Sequence, residues 1–579
     1  MMLLALVVVP LVFAGVVALC PPALIRRLAL VGTLVPLFLG VFALSGFEWS
    51  MTGTTQYEYA VEWLPKLGLT LSFGADGVSM LLVALTLLLG PICVLASETA
   101  ITERLRTYYA WFLVLQGAMT GVFVAQDLIF FYICFEFTLI PMFILINLYG
   151  STNRHRAAVK FFMYTFTGSL VALAGLAYVA WNHATLAGSW TFDIATLAQS
   201  ARELPASEQA WVLLALMAGF AVKVPLFPVH TWLPLAHTEA PTAGSVILAG
   251  VLLKLGTYAL YRFAMPFAPV AFIEYAPLIA TLCIIGILYG GLICWVQRDV
   301  KKLVAYSSVA HLGFCVLGLA AANHVGVTGA VLYMINHGLS TGALFLLIGM
   351  VYERYHTRSL RELGGLAAKM PIWATFMVFF TMASVGLPGL NGFVSEFMCL
   401  MGTFQASETW GGSTLASGPW GSNGAAVPGA TLGNLGPWYA LVAGVGMVIA
   451  AIYLLYMLGV IVWGPLVLPH GHGHDGHGSG GHGHASKHEP GKHDSKHDGK
   501  HDTGGHDSHG GLPTDLSGRE IGILVPLAIL CIVLGVYPKL ATDAIHGSVA
   551  SVVGTVDQAR QAMGIPTSSD RVALDGETP

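Results

Sequence analysis

About fourteen stretches of this chain run close to twenty residues with almost no charge, and that repetition leaves few folds open. Roughly 20 consecutive apolar residues is the length that crosses a bilayer as an α-helix. Lipid offers no partner to backbone N–H and C=O groups, so only helices and closed barrels span it. The runs here are continuous rather than alternating, which argues against a β-barrel. The chain is therefore expected to be an all-α polytopic membrane protein. Its spans fall near 2–19, 27–45, 76–97, 107–125, 127–149, 158–181, 209–227, 242–263, 275–296, 303–321, 326–350, 371–403, 437–464 and 520–538. Composition agrees, with only 10% charged residues against about a quarter in soluble domains. Segment 2–19 lacks a basic leader and a clean small-residue cleavage site, so it reads as a retained helix rather than a signal peptide.

Basic residues predict the orientation. Arg26 and Arg27 follow span 1; Arg104 and Arg106 follow span 3; Arg154, Arg156 and Lys160 follow span 5. Arg298, Lys301 and Lys302 follow span 9, and Arg354, Arg358, Arg361 and Lys369 follow span 11. The intervening loops carry only Lys66, Arg202 and Arg262, and the loop after span 7 has neither Lys nor Arg. Positive charge marks the cytoplasmic side, which puts the odd-to-even loops there and both termini outside.

Four charges sit inside these apolar runs: Glu136 in span 5, Lys223 in span 7, Lys254 in span 8 and Glu396 in span 12. Each costs roughly 2.5–3.5 kcal/mol at bilayer depth, or ~10 kcal/mol together, and such residues mark ion or proton paths. Burial and a nearby opposite charge push the proton affinity of a carboxyl or an amine in opposite directions. A Glu136–Lys223 pair can thus be loaded or discharged by moving one partner, although a structural ion pair is the simpler alternative. Lys254 has no acid in its own span. His311 and His337 lie in spans 10 and 11, with Ser307, Ser308, Ser340 and Thr341 nearby in sequence. Histidine titrates near neutrality, so both are candidates for a proton relay, with helix–helix hydrogen bonding as the alternative. His230, His237 and Glu239 follow span 7 and either line an entrance or cap an interrupted helix.

Two spans are broken by proline. KVPLFPVHTWLP places Pro225, Pro228 and Pro234 after Lys223, and GLPGLNGF places Pro388 before Glu396. Paired broken helices point to inverted repeats with a midplane site; here spans 4–8 would match spans 9–13. The chain then divides into spans 1–3 (1–106), a first repeat (107–263), a second repeat (264–469), a His-rich loop (470–518) and the last span with its tail (519–579).

The stretch 470–510 holds twelve of the 21 histidines and no large apolar residue. It cannot build a core and is expected to be a disordered cytoplasmic insert; zinc or nickel binding is its alternative role. The eight cysteines form no C-x-x-C pair, so neither an iron–sulfur cluster nor a zinc site is indicated. No dinucleotide fingerprint or P-loop is present.

The run KVPLFPVHTWLPLAHTEAPTAGSVILAGVLLKLGTYALYRF (223–263) resembles the signature of proton-translocating antiporter-like subunits. These are the large membrane subunits of respiratory complex I and their relatives in multisubunit cation/proton antiporters. QRDVKKLVAYSSVAHLGF (297–314) and GLPGLNGFVSEFMCL (386–400) are similar to further segments of that family, so the resemblance covers spans 3 to 14. It implies a fourteen-helix core with two inverted five-helix repeats. It also implies proton-translocating roles for Glu136, Lys223, Lys254, His311 and His337. Glutamate rather than lysine at position 396 resembles the M-type branch of complex I subunits, as does a tail without a long lateral helix. No cofactor is implied on this chain; NADH, FMN, iron–sulfur clusters and quinone would belong to partner subunits, with other membrane subunits as neighbours. Leu235 departs from the family, which often has a charge there, and the His-rich loop lies outside its pattern. Two rivals remain at this stage: a subunit of a multisubunit Na+/H+ antiporter, and a metal transporter using the His-rich loop.

Overall fold

The computed structural model describes residues 1–50, 53–407, 435–467 and 514–563; most of the His-rich loop lies outside the described residues. Among the described residues, twelve helices are long and apolar enough to cross a membrane. They correspond to spans 1–6, 8–11, 13 and 14, from Met2–Leu19 to Gly518–Val536. Spans 7 and 12 are broken, as the prolines predict. Span 7 is a helix Ala206–Lys223 followed by Leu233–Glu239, and span 12 is Pro371–Val385 followed by Asn391–Gln405. Proline lacks the N–H that would continue the ladder, and the breaks fall next to Lys223 and Glu396.

The apolar cores of spans 8 (Thr242–Phe267) and 11 (His324–Tyr355) are buried by the other helices, and that of span 10 (Val300–Ala320) nearly so, whereas spans 1 and 2 are mostly exposed. The helices that carry Lys254, His311 and His337 are therefore those farthest from lipid. Spans 9 and 10 pack together, span 11 packs on the second half of span 12, and Leu233–Glu239 reaches across to span 10.

The odd-to-even loops gather at one end. Arg26 donates to Ile101 O (3.1 Å), Tyr149 to Arg104 O (2.7 Å), and Val300 N to Arg358 O (3.0 Å). Span 14 is tied in at the same end by Arg519 to Glu98 (3.0 Å) and by a buried Arg354–Glu520 pair (2.8 Å). Ser517 and Glu520 form a reciprocal capping box at its first turn, which satisfies the N–H groups a helix start leaves open.

The opposite end departs from an all-helical chain. Strands Gln56–Leu64 and Leu69–Ala75 form an antiparallel hairpin between spans 2 and 3. The tail, expected as a mere extension, contains a further helix, Lys539–Ala562, that packs on spans 3 and 11. Its Ser548 accepts from Gly77 N (3.0 Å) and, through its carbonyl, from Tyr261 OH (2.9 Å). Lys539–Ala562 carries too many polar residues to register as a span, and its apolar side finds a partner only in the folded bundle.

Candidate functional site

The first half of the site is built around the break in span 5. Asp127 caps its start, accepting from Ile129 N and Phe130 N (2.9 and 3.0 Å). The helix Leu128–Phe137 then interrupts at Thr138 and resumes as Leu139–Tyr149. Lys223 comes to this break from the last turn of its own helix, where a cation meets the negative end of the helix dipole. Its Nζ donates to Phe135 O (3.3 Å) and Thr138 Oγ1 (3.4 Å) and lies 4.0 Å from the Phe135 ring centroid.

Glu136 sits half-buried on the same turn. Neither carboxylate oxygen finds a hydrogen-bond partner among the described residues. The two charges are within electrostatic reach of each other, but no ion pair within 4.0 Å joins them. The direct contact that sequence order invites is instead a Lys223 bond to the backbone one residue before Glu136. A carbonyl freed at the helix break and an aromatic face take the place of the carboxylate.

Lys254 is fully buried, at 0% exposed. Span 8 opens into π-turns at Leu248–Leu252 and Leu260–Ala264 on either side of it, the kind of local widening that recurs at functional positions. Nζ donates to Ala249 O and meets His337 Nδ1 at 2.7 Å. This contact needs spans 8 and 11 to touch backbone to backbone. A Cβ on Gly338 would lie 2.9 Å from Gly250 O and 2.8 Å from the Leu85 side chain. Small residues permit such approach between membrane helices. An ammonium only donates, so against a charged Lys254 the Nδ1 of His337 accepts and its proton lies on Nε2.

The second half of the site gathers His311, Tyr333 and Glu396. His311 Nδ1 lies 2.6 Å from Tyr333 OH and 3.3 Å from Glu396 Oε1, and the Tyr333 hydroxyl donates to Glu396 Oε1. Glu396 is 2% exposed. The bend before it is held by Gly386, at φ +82°, where a Cβ would come 2.7 Å from Glu396 Oε2. Asn336 donates to Asn391 O (2.7 Å) and Ser395 Oγ (3.1 Å) and fixes the restarted helix against span 11.

His337 and His311 have ring centroids 6.0 Å apart. The Nε2 atoms of both lack a hydrogen-bond partner among the described residues. Both rings line a small cavity of about 10 Å3 together with Tyr333, Ser340, Thr341, Ser384 and Glu396, close to the least volume that holds one water. A line of side chains thus runs from Lys254 to Glu396 past a cavity about the size of one water.

At the basic end a cavity of about 680 Å3 leads inward, lined by Ser151, Glu239, Lys301, Glu353 and Arg358. Glu239 accepts from Ser151 Oγ (2.6 Å) and Asn153 N (2.9 Å), and Lys301 donates to Ala240 O (2.5 Å). Beyond them His237 is 0% exposed, stacked on Phe345 at 4.7 Å, with both ring nitrogens unpartnered among the described residues. It is within electrostatic reach of both Lys301 and Lys254. His230, by contrast, stacks on Phe227, meets Tyr289 edge-on and does not line this cavity. The charges missing at Leu235 are thus present nearby, on Glu239 and Lys301.

Sequence order placed both histidines between Lys254 and Glu396 but in the reverse sense, since His337 meets Lys254 and His311 lies beside Glu396; it gave no sign of Tyr333, an ordinary residue in an apolar helix. Lys301 registered only as a topology marker.

The profile of the NADH:quinone oxidoreductase/Mrp antiporter transmembrane family matches residues 125–418, which hold all six of these candidates. The chain belongs to this family. It is 38% identical over 539 residues to NADH-quinone oxidoreductase subunit M of Rhodobacter capsulatus, covering 91% of this chain and 90% of that one. It is 35% identical over 552 residues to NADH-ubiquinone oxidoreductase chain 4 of Arabidopsis thaliana, covering 95% and 96%. Among solved structures it is similar to a chain of respiratory complex I from Thermus thermophilus with bound NADH. There the TM-score is 0.76 at 27% identity, over 96% of this chain and 100% of that chain. A chain of the Mrp complex from Dietzia sp. DQ12-45-1b shares the fold, with TM-score 0.72 at 23% identity over 96% and 98%.

Proposed function

We propose that this chain is the M-type proton-translocating membrane subunit of a NADH:quinone oxidoreductase of the complex I kind, seated in the inner (plasma) membrane with both termini outside. The observation that carries this reading is the buried line of proton-exchanging side chains from Lys254 through His337, His311 and Tyr333 to Glu396, in the most enclosed helices of the fold. Protons enter from the basic end past Glu239, Lys301 and His237, load Lys254, pass His337 and His311, and leave through Glu396. Glu136 and Lys223 receive the driving signal from neighbouring membrane subunits; the unpartnered carboxylate of Glu136 supports this role, because its energy responds to any charge brought near it. NADH, FMN, iron–sulfur clusters and quinone do their chemistry in partner subunits, and this chain contributes translocation without redox chemistry of its own.

The antiporter rival shares the fold, but the relatives with higher identity over nearly the full length are oxidoreductase subunits, and Glu396 at the end of the line matches the M-type pattern. The test is Lys223→Ala or Glu136→Ala in the whole complex. Each should abolish proton pumping with assembly intact, and unchanged pumping in either variant refutes the assignment.

A further inference from the structure

We infer that the Tyr333 hydroxyl is a proton relay between His311 and Glu396 and gives the buried line its direction. The inference rests on the translocation reading above and adds to it a residue, a step and a polarity.

Tyr333 has one hydroxyl proton, and it points to Glu396 Oε1. Its oxygen is then free to accept, and His311 Nδ1 at 2.6 Å is the group placed to donate. That assignment puts the His311 proton on Nδ1 and leaves its Nε2, which has no partner among the described residues, free to accept. His337, whose ring lines the same cavity, carries its proton on Nε2 when a charged Lys254 donates to its Nδ1. Every donor along the line therefore points the same way: Lys254 to His337, across the cavity to His311, on to Tyr333, and into Glu396.

The step balances without an outside reactant. The Nδ1 proton of His311 moves to the Tyr333 oxygen as the hydroxyl proton moves to the Glu396 carboxylate. His311 takes up a proton at Nε2 from the cavity side and stays neutral. Tyr333 begins and ends as a neutral phenol, and Glu396 becomes a neutral acid. The hydroxyl hydrogen now faces a bare His311 Nδ1, so both rotation about the Cζ–O bond and return of the imidazole to its Nδ1–H form are needed before the next proton can pass. The direct His311–Glu396 separation of 3.3 Å is long for a charge-assisted bond, which ordinarily closes to about 2.7–2.9 Å. The shorter route runs through the phenol.

The experiment uses the intact complex reconstituted in proteoliposomes, with NADH oxidation and proton uptake followed together. Tyr333→Phe keeps the ring and removes only the hydroxyl. Pumping through this subunit should fall by on the order of 100-fold, the low end of the range a positioned proton-transfer group supplies. Replacement by 3-fluorotyrosine keeps the shape and makes the phenol more acidic, so it should shift the pH profile of pumping, which a packing role would not do. If Tyr333→Phe fails to assemble, the fluorinated variant decides alone. Wild-type pumping in Tyr333→Phe, or an unshifted pH profile with 3-fluorotyrosine, overturns the inference. Glu396→Gln separates the two readings. Pumping lost there but kept in Tyr333→Phe removes only the tyrosine step, whereas pumping kept in Glu396→Gln removes the translocation reading itself.

Discussion

Replacing Lys254 by methionine separates charge from packing. Methionine is unbranched and flexible enough to follow the lysine stem, so the volume stays filled and only the amine is lost. Two energies then oppose each other. Ala249 O and His337 Nδ1 lose their donor, at roughly 1–3 kcal/mol for each buried polar group left unsatisfied. Against this, a charge is removed from a site that is 0% exposed and holds no carboxylate within ion-pair distance among the described residues. The desolvation penalty of such an ion is several kcal/mol. The terms nearly cancel, and Lys254→Met should assemble with stability within about 2 kcal/mol of the wild type. Proton transfer has no such compensation, because the line loses the group that loads it. Native gels of the complex should show normal assembly, and dye-quench assays should show little proton uptake by this subunit per NADH oxidised. An assembled variant that pumps at the wild-type ratio would refute the placement of Lys254 in the path. A variant that fails to assemble would refute the energetic argument instead.

Two further substitutions test the frame around the line. Gly386→Ala forces a side chain into a left-handed backbone, about 1–2 kcal/mol, and sets its Cβ 2.7 Å from Glu396 Oε2; pumping should drop more than thermal stability, and unchanged pumping would show that Glu396 tolerates displacement. Glu520→Ala removes the carboxylate of the buried pair with Arg354, a loss of roughly 3–5 kcal/mol; thermal unfolding of the purified complex should shift downward, and an unchanged midpoint would show that span 14 is held by its apolar contacts alone.

How far the sequence reached depends on whether a feature is local. The spans were legible because lipid exposure acts on each stretch of twenty residues separately, and the helix breaks were legible because proline acts on its own turn. The hairpin Gln56–Leu64/Leu69–Ala75 and the helix Lys539–Ala562 were missed, since neither carries a span signal and both are held against the bundle end. The Glu136–Lys223 pair was drawn too simply. Lys223 turns to Phe135 O and Thr138, an arrangement available only because span 5 breaks at Thr138 and exposes that carbonyl.

By itself the sequence determined that this chain lives in a bilayer, that Glu136, Lys223, Lys254 and Glu396 lie at membrane depth, and that two helices are broken beside two of those charges. Each follows from the cost of a charge or an unpaired backbone group in lipid. The tertiary structure alone decided which groups touch. It put Lys254 on His337, set a water-sized cavity beside both histidine rings, and placed Tyr333 between His311 and Glu396. Those contacts depend on where helices cross, fixed by close approaches such as Gly250 to Gly338, and no stretch of sequence specifies a crossing without its partner.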